Sequence, residues 1–196
     1  MAANYGYALD PSFKGLLASV GVRHEDVLRR AGLPDDLLNR SNVRLPREQF
    51  FAFAKAIEDL ADDPRLPIRL AEGMSAEWFS PPAFAALCSP DLATAVQRLA
   101  RFKPLVAPIE LTWESDDTGL RVTFGWLECA TAPPRFLSGA EALGLVRLAR
   151  IGTRHDIRPV GVTMPDAPLD REAHEAFLGC AIRRDAVTSV TFAAAD

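Results

Sequence analysis

The sequence predicts an α+β fold in which N-terminal helices pack on a mainly antiparallel sheet of four or more strands, with additional helices. Three observations predict it. Up to residue 107, apolar residues recur every three or four positions between proline starts and glycine stops, as short helices do. After Pro108 the apolar period changes to two, the mark of strands. Beyond that, helical and alternating segments follow one another, which gives strands and helices in one layer pair rather than a bundle. A chain of 196 residues suits one domain. We therefore expect a single unit over 1–196, with a helical part at 10–107 and an α+β part at 108–196.

Taken in order, Asp10 is placed to cap a helix opening at Pro11, whose stripe Phe13, Leu16, Leu17 and Val20 stops at Gly21. A second helix from about His24 carries Val27 and Leu28 and ends at Gly32. Pro34 opens a short turn through Leu37 and Leu38. Arg44-Leu45-Pro46 is an extended link, because the residue before proline is pushed out of the helical region. From Pro46, the run Phe50, Phe53, Ala54, Ile57, Leu60 and Ala61 is strongly helical and ends at Asp62-Asp63-Pro64. A short helix around Ile68 closes at Gly73. Ser80-Pro81-Pro82 and Ser89-Pro90 open two more helices with serines as caps, the second buried along Leu92, Ala95, Val96, Leu99 and Phe102.

Ile109, Leu111 and Trp113 then alternate with Glu110, Thr112 and Glu114. Leu120, Val122, Phe124 and Trp126 alternate with Arg121, Thr123 and Gly125, so the two runs form a hairpin around the polar turn 115–119. A long helix is expected from Pro134 to Arg150, with Gly152 as terminator. Val160, Val162 and Met164 give a third strand, Asp170 to Leu178 a helix stopped at Gly179, and Val190 and Phe192 a last strand.

Composition narrows the function. The apolar fraction of 48% and charged fraction of 24% are those of a globular protein. No apolar run reaches the roughly 20 residues of a membrane span, and Met1-Ala2-Ala3-Asn4-Tyr5 lacks a signal-peptide pattern, so a cytoplasmic protein is expected. A net charge of −4 gives no general attraction for phosphate backbones, and DNA binding by this stretch alone is not expected. Cys88, Cys129 and Cys180 are widely spaced, with no CxxC pair and no histidine at ligand spacing. They are read as small buried apolar residues rather than disulfides or zinc ligands.

Motifs of hydrolases, nucleotide-binding loops and zinc proteases are absent, so the expectation is a non-enzyme with no cofactor and no metal. His24, His155 and His174 are read as solvated or structural, and Arg147, Arg150, Arg154 and Arg158 as cations favoured near a helix C-terminus. The unusual feature is an aromatic set on the hairpin and its facing helices, which includes Trp78 and Phe79. From it we take a ligand pocket lined by Phe84, Phe102, Trp113, Phe124, Trp126 and Phe136, with Arg101 or Arg135 as polar anchor. Ala83, Ala86 and Ala95 opposite the rings leave the space. Such a pocket suits a flat or aliphatic molecule, and arginine at its rim suits a carboxylate. The other reading of the same residues is a packed core in a protein–protein interaction or dimerisation module without a ligand.

In order, the segments Leu16-Leu-Ala-Ser-Val-Gly-Val22, Val27-Leu-Arg-Arg-Ala-Gly-Leu-Pro-Asp-Asp-Leu-Leu38 and Arg44-Leu-Pro-Arg-Glu-Gln-Phe50 resemble the N-terminal effector domain of AraC/XylS-type transcriptional regulators. Within that family they are similar to the subgroup named for an arabinose-binding-type domain and typified by ornithine-utilisation regulators. Asp63-Pro-Arg-Leu-Pro-Ile-Arg-Leu-Ala-Glu-Gly73, the stretch Leu87 to Phe102, Ile157-Arg-Pro-Val-Gly-Val-Thr-Met-Pro165 and Phe177-Leu-Gly-Cys-Ala-Ile-Arg183 continue the resemblance. It implies a module that senses a small-molecule effector and controls a C-terminal helix-turn-helix domain; a homodimer is expected, because paired half-sites suit dimers and the helix from Pro134 to Arg150 is apolar over more than half its circumference. No recognition-helix pattern follows Phe192, so DNA contact is expected only through that further domain. The resemblance supplies no residue-by-residue binding motif and does not imply a sugar ligand.

Overall fold

The computed structural model describes residues 6–9, 11, 13–74, 81–127 and 133–194. Asp10, Trp78, Phe79, Ser80 and Cys129, named above for caps, rings or a thiol, lie outside them. Eight helices and two sheets are described, as expected for an α+β chain. The helical part holds α1 (Phe13–Ser19), α2 (His24–Arg30), α3 (Arg47–Ala61), α4 (Leu66–Glu72), α5 (Pro81–Leu87) and α6 (Leu92–Phe102). Short 3-10 turns lie at Leu37–Asn39 and Lys103–Leu105. Gly21 and Gly32 end α1 and α2 with positive φ, and Asp62 does the same after α3. Two strands too short to leave a pattern, β1 (Tyr7–Ala8) and β2 (Arg44–Leu45), pair antiparallel across the start of the chain.

The second half holds β3 (Ile109–Asp116), β4 (Gly119–Trp126), α7 (Arg135–Thr153), β5 (Gly161–Met164), α8 (Arg171–Leu178), β6 (Ile182–Arg184) and β7 (Thr188–Ala193). The strands form a five-stranded sheet in the order β3-β4-β7-β5-β6. All neighbours are antiparallel except β5 and β6, which pair parallel with Val162 opposite Ile182. Register fixes one buried face: Leu111 stands opposite Phe124, Val122 opposite Val190, and Leu120 opposite Phe192. The other face is polar, with Glu110, Thr112, Glu114 and Arg121 exposed; on it the hydroxyls of Thr163 and Ser189 lie 2.8 Å apart.

Two sequence expectations about helix ends need correction. The residue that caps α6 is Asp91, whose carboxylate accepts from the Thr94 N–H at 2.7 Å, while the Ser89 hydroxyl donates back to the Ala85 carbonyl. Helix α7 runs past Gly152 and stops at Arg154, which adopts φ 60°. Thr153 Oγ1 bonds the Ala149 carbonyl at 2.8 Å, holding that last turn helical.

Helix α7 is the axle of the molecule. Eight of its 19 residues are buried, covered on one side by the sheet and α8 and on the other by α4 and α5. A Cβ on Gly139 would stand 3.1 Å from the Pro67 ring, so this glycine lets α4 approach α7. Aromatic edges join the helical part to itself and to the sheet: Phe13 meets Phe53 at 5.9 Å, and Phe51 meets Trp126 at 5.9 Å. The N-terminus of α7 has no side-chain cap of its own. Glu58 of α3 supplies one across 78 residues, its Oε1 accepting from the Phe136 N–H at 3.0 Å.

Candidate functional site

An apolar cavity formed by the described residues lies between the N-terminal helices and α7. Its volume is about 410 Å³. Phe13, Phe50, Phe53 and Phe136 supply rings, and Leu17, Ile57, Leu70, Ala71 and Leu137 supply aliphatic wall. These residues are there because α1, α3 and α4 each turn an apolar stripe toward α7, yet the stripes do not close on one another. A second cavity of about 150 Å³ lies between α5, α6, α7 and the hairpin, lined by Leu99, Leu111, Phe124, Leu145 and Leu148. The two share Met74, Ala83, Lys103, Ala140 and Glu141 as lining.

Among the described residues, charge enters this apolar region at one place. Lys103 Nζ and Glu141 Oε2 are 2.7 Å apart, with side chains 23% and 16% exposed. The lysine sits in the 3-10 turn after α6, where Pro104 ends the helix, and the glutamate projects from the middle of α7. The pair borders both cavities, so each ion keeps hydrogen-bonding capacity toward the space.

A third cavity, of about 280 Å³, lies between α3, α4, the end of β4, the start of α7 and the 165–169 loop. Trp126, Arg135, Phe136, Glu58 and His174 line it. His174 is 1% exposed; its Nδ1 lies 2.7 Å from the Asp170 carbonyl and its Nε2 has no partner. Burial pushes the imidazole pKa below the usual histidine value, so the ring is neutral with Nδ1–H donating. Trp126 Nε1 is likewise buried without a partner.

The structure does not gather the eight residues taken from the sequence into one pocket. Trp126, Arg135 and Phe136 come together at the 280 Å³ cavity, and Phe136 also lines the 410 Å³ one. Phe124 is 3% exposed and lines the smallest. Phe102 is half-buried. Phe84 and Trp113 are exposed at 56% and 38%. Arg101 is exposed and stacks on its neighbour Phe102 at 5.4 Å, and Arg135 makes one long 3.5 Å bond to the Ala167 carbonyl. Sequence reading missed Lys103 and Glu141, although a glutamate four residues from both Leu137 and Leu145 lies on an apolar helix face and was a usable signal. Of the spaces left by small residues, Ala83 lines both apolar cavities, while Ala86 is buried at 2%.

Other candidates have structural work. Arg150 donates to the Ile157 carbonyl at 2.8 Å and lies over the Phe177 ring, while Arg158 pairs with Asp156. Burial raises the Cys180 thiol pKa, the reverse of an activated nucleophile. Cys88 is exposed rather than buried, because it falls in the solvent-facing turn between α5 and α6. No group of three or more metal-ligating side chains occurs among the described residues, and no described helix is long and apolar enough to cross a membrane.

A ring-lined cavity with an ion pair on its wall has the form that small-molecule sites take. The family model described as the arabinose-binding domain of AraC transcription regulators, N-terminal, matches residues 21–196, and the chain belongs to this family. It is thus a regulatory, ligand-sensing domain of transcription regulators. No curated protein matches it.

Proposed function

We propose that this chain binds a small apolar effector in the 410 Å³ cavity and, through α7, controls a C-terminal DNA-binding domain. The observation that carries the reading is the cavity itself. Its volume falls within the roughly 300–1,000 Å³ of small-molecule sites, its walls are mostly apolar, and one ion pair supplies the polar contact. Helix α7 touches the effector space through Phe136, Leu137, Ala140 and Glu141 and packs on β5, β7 and α8, so a change at the cavity reaches the sheet. The unit comprises residues 1–196, in the cytoplasm, and resembles the ornithine-utilisation subgroup. It works as a homodimer. The broad apolar face of α7 is covered within the chain, so the dimer contact uses other apolar surface, such as exposed Phe84 and Leu105.

Filling the site tests the proposal. Ala83→Leu adds volume where the two apolar cavities meet, without removing a polar partner. Thermal melting against a metabolite library is expected to show a compound that stabilises the wild type by several degrees and leaves Ala83→Leu unmoved. A library in which every hit stabilises both proteins equally would refute this location.

A further inference from the structure

The effector's head group is legible from the charge pattern of the cavity wall. We propose that it carries no net charge and both accepts and donates hydrogen bonds, as an amide does, on an apolar body of aromatic or aliphatic carbon. This rests on the 410 Å³ cavity being the effector site.

Among the described residues the cavity's charged lining is one cation and one anion, Lys103 and Glu141, each the other's partner at 2.7 Å. No other side-chain hydrogen bond or ion pair of either is found among the described residues. Lys103 therefore keeps two N–H donors and Glu141 keeps acceptor capacity on both oxygens. A carboxylate head would satisfy the lysine but bring a like charge against a glutamate whose side chain is 16% exposed, where solvent screens poorly. An ammonium head would meet the same objection from Lys103. A head that accepts from the lysine and donates to the glutamate leaves the pair neutral and uses the spare capacity of both ions. The arginine-anchored carboxylate expected from the sequence finds no such anchor here, because neither Arg101 nor Arg135 lines this space.

The body follows from the walls. Four phenylalanine rings and aliphatic side chains surround the rest of the space, and Asn42 is the other polar side chain lining it among the described residues. The adjoining 150 Å³ cavity is wholly apolar beyond the shared ion pair, so a tail passing the pair continues into hydrocarbon.

The test uses four probes of one shape: 3-phenylpropanamide, 3-phenylpropanoate, 3-phenylpropylammonium and propylbenzene, titrated into the 196-residue chain by calorimetry or ligand-observed NMR. The amide is expected to bind about tenfold or more tighter than the other three. Glu141→Gln leaves a net positive wall and is expected to move the preference to the propanoate; Lys103→Met is expected to move it to the ammonium. Should either single variant fail to fold, Lys103→Gln with Glu141→Gln keeps the wall neutral and retains the amide preference. If the propanoate binds the wild type best and Ala83→Leu abolishes that binding, the head-group inference is overturned while the cavity reading stands. If the ranking ignores Glu141→Gln, the inference is overturned as well. If none of the four binds, both fall.

Discussion

Replacing Glu58 by alanine removes a contact that ties the helical part to α7. The carboxylate accepts from the Phe136 N–H at 3.0 Å and from Lys55 at 3.1 Å, and α7 has no acidic residue in its first turn and no cap from Pro134. The surface pair with Lys55 contributes little, because that lysine is half exposed. The cap is the larger part. An N-terminal amide left without an acceptor, with loss of a negative charge at the helix dipole, costs about 1–2 kcal/mol. For a chain of this size that lowers the melting temperature by about 2–8 °C. Glu58→Gln keeps an acceptor without the charge and is expected to lose less than half as much. Phe136 lines both the 410 and 280 Å³ cavities, so the alanine variant also weakens ligand stabilisation. Differential scanning calorimetry decides it: a Glu58→Ala variant within 1 °C of wild type, or a glutamine variant as damaged as the alanine one, would refute the capping argument.

Three further outcomes follow from single contacts. A Cβ on Gly119 would stand 2.1 Å from the Phe192 carbonyl oxygen, so Gly119→Ala is expected to cost about 3 kcal/mol by urea titration, whereas Gly161→Ala, with nothing within 4 Å, costs nothing. Asp91→Ala removes the α6 cap and is expected to cost about 1 kcal/mol, with Asp91→Ser recovering most of it. Burial holds the His174 pKa below its unfolded value near 6.5, so as pH falls through 6.5 the unfolded chain takes up a proton first. Stability is then lost at up to about 1.4 kcal/mol per pH unit until the folded pKa is reached; pH-dependent unfolding of His174→Gln is expected to lack this phase.

Where the chain's periodicity is long and local, the fold is legible from sequence. The alternation over Ile109–Trp113 and Leu120–Trp126 gives the hairpin and its buried face, because side-chain period and register are set by the same pleat. Strand β6 is not legible: three residues carry no period, and their pairing partner, β5, is 20 positions away with α8 between. The end of α7 was misplaced because a glycine signals a stop only if no later residue holds the turn, and Thr153 and Arg154 do. Alternation put Phe124 and Trp126 on one inward face of the hairpin, yet the 410 Å³ cavity is walled by Phe13, Phe50 and Phe53, which the helical stripe marks as core. Stripe positions show which residues turn inward but not whether helices 40 residues apart meet without a gap.

Native mass spectrometry of the chain purified from its own cells shows whether the cavity is occupied. A retained molecule is expected, released on unfolding, with a mass a 410 Å³ cavity holds, uncharged at neutral pH, and absent from the folded Ala83→Leu variant. Recovery of the bare protein mass from both, with no extractable small molecule and no compound that stabilises the wild type alone, would contradict this.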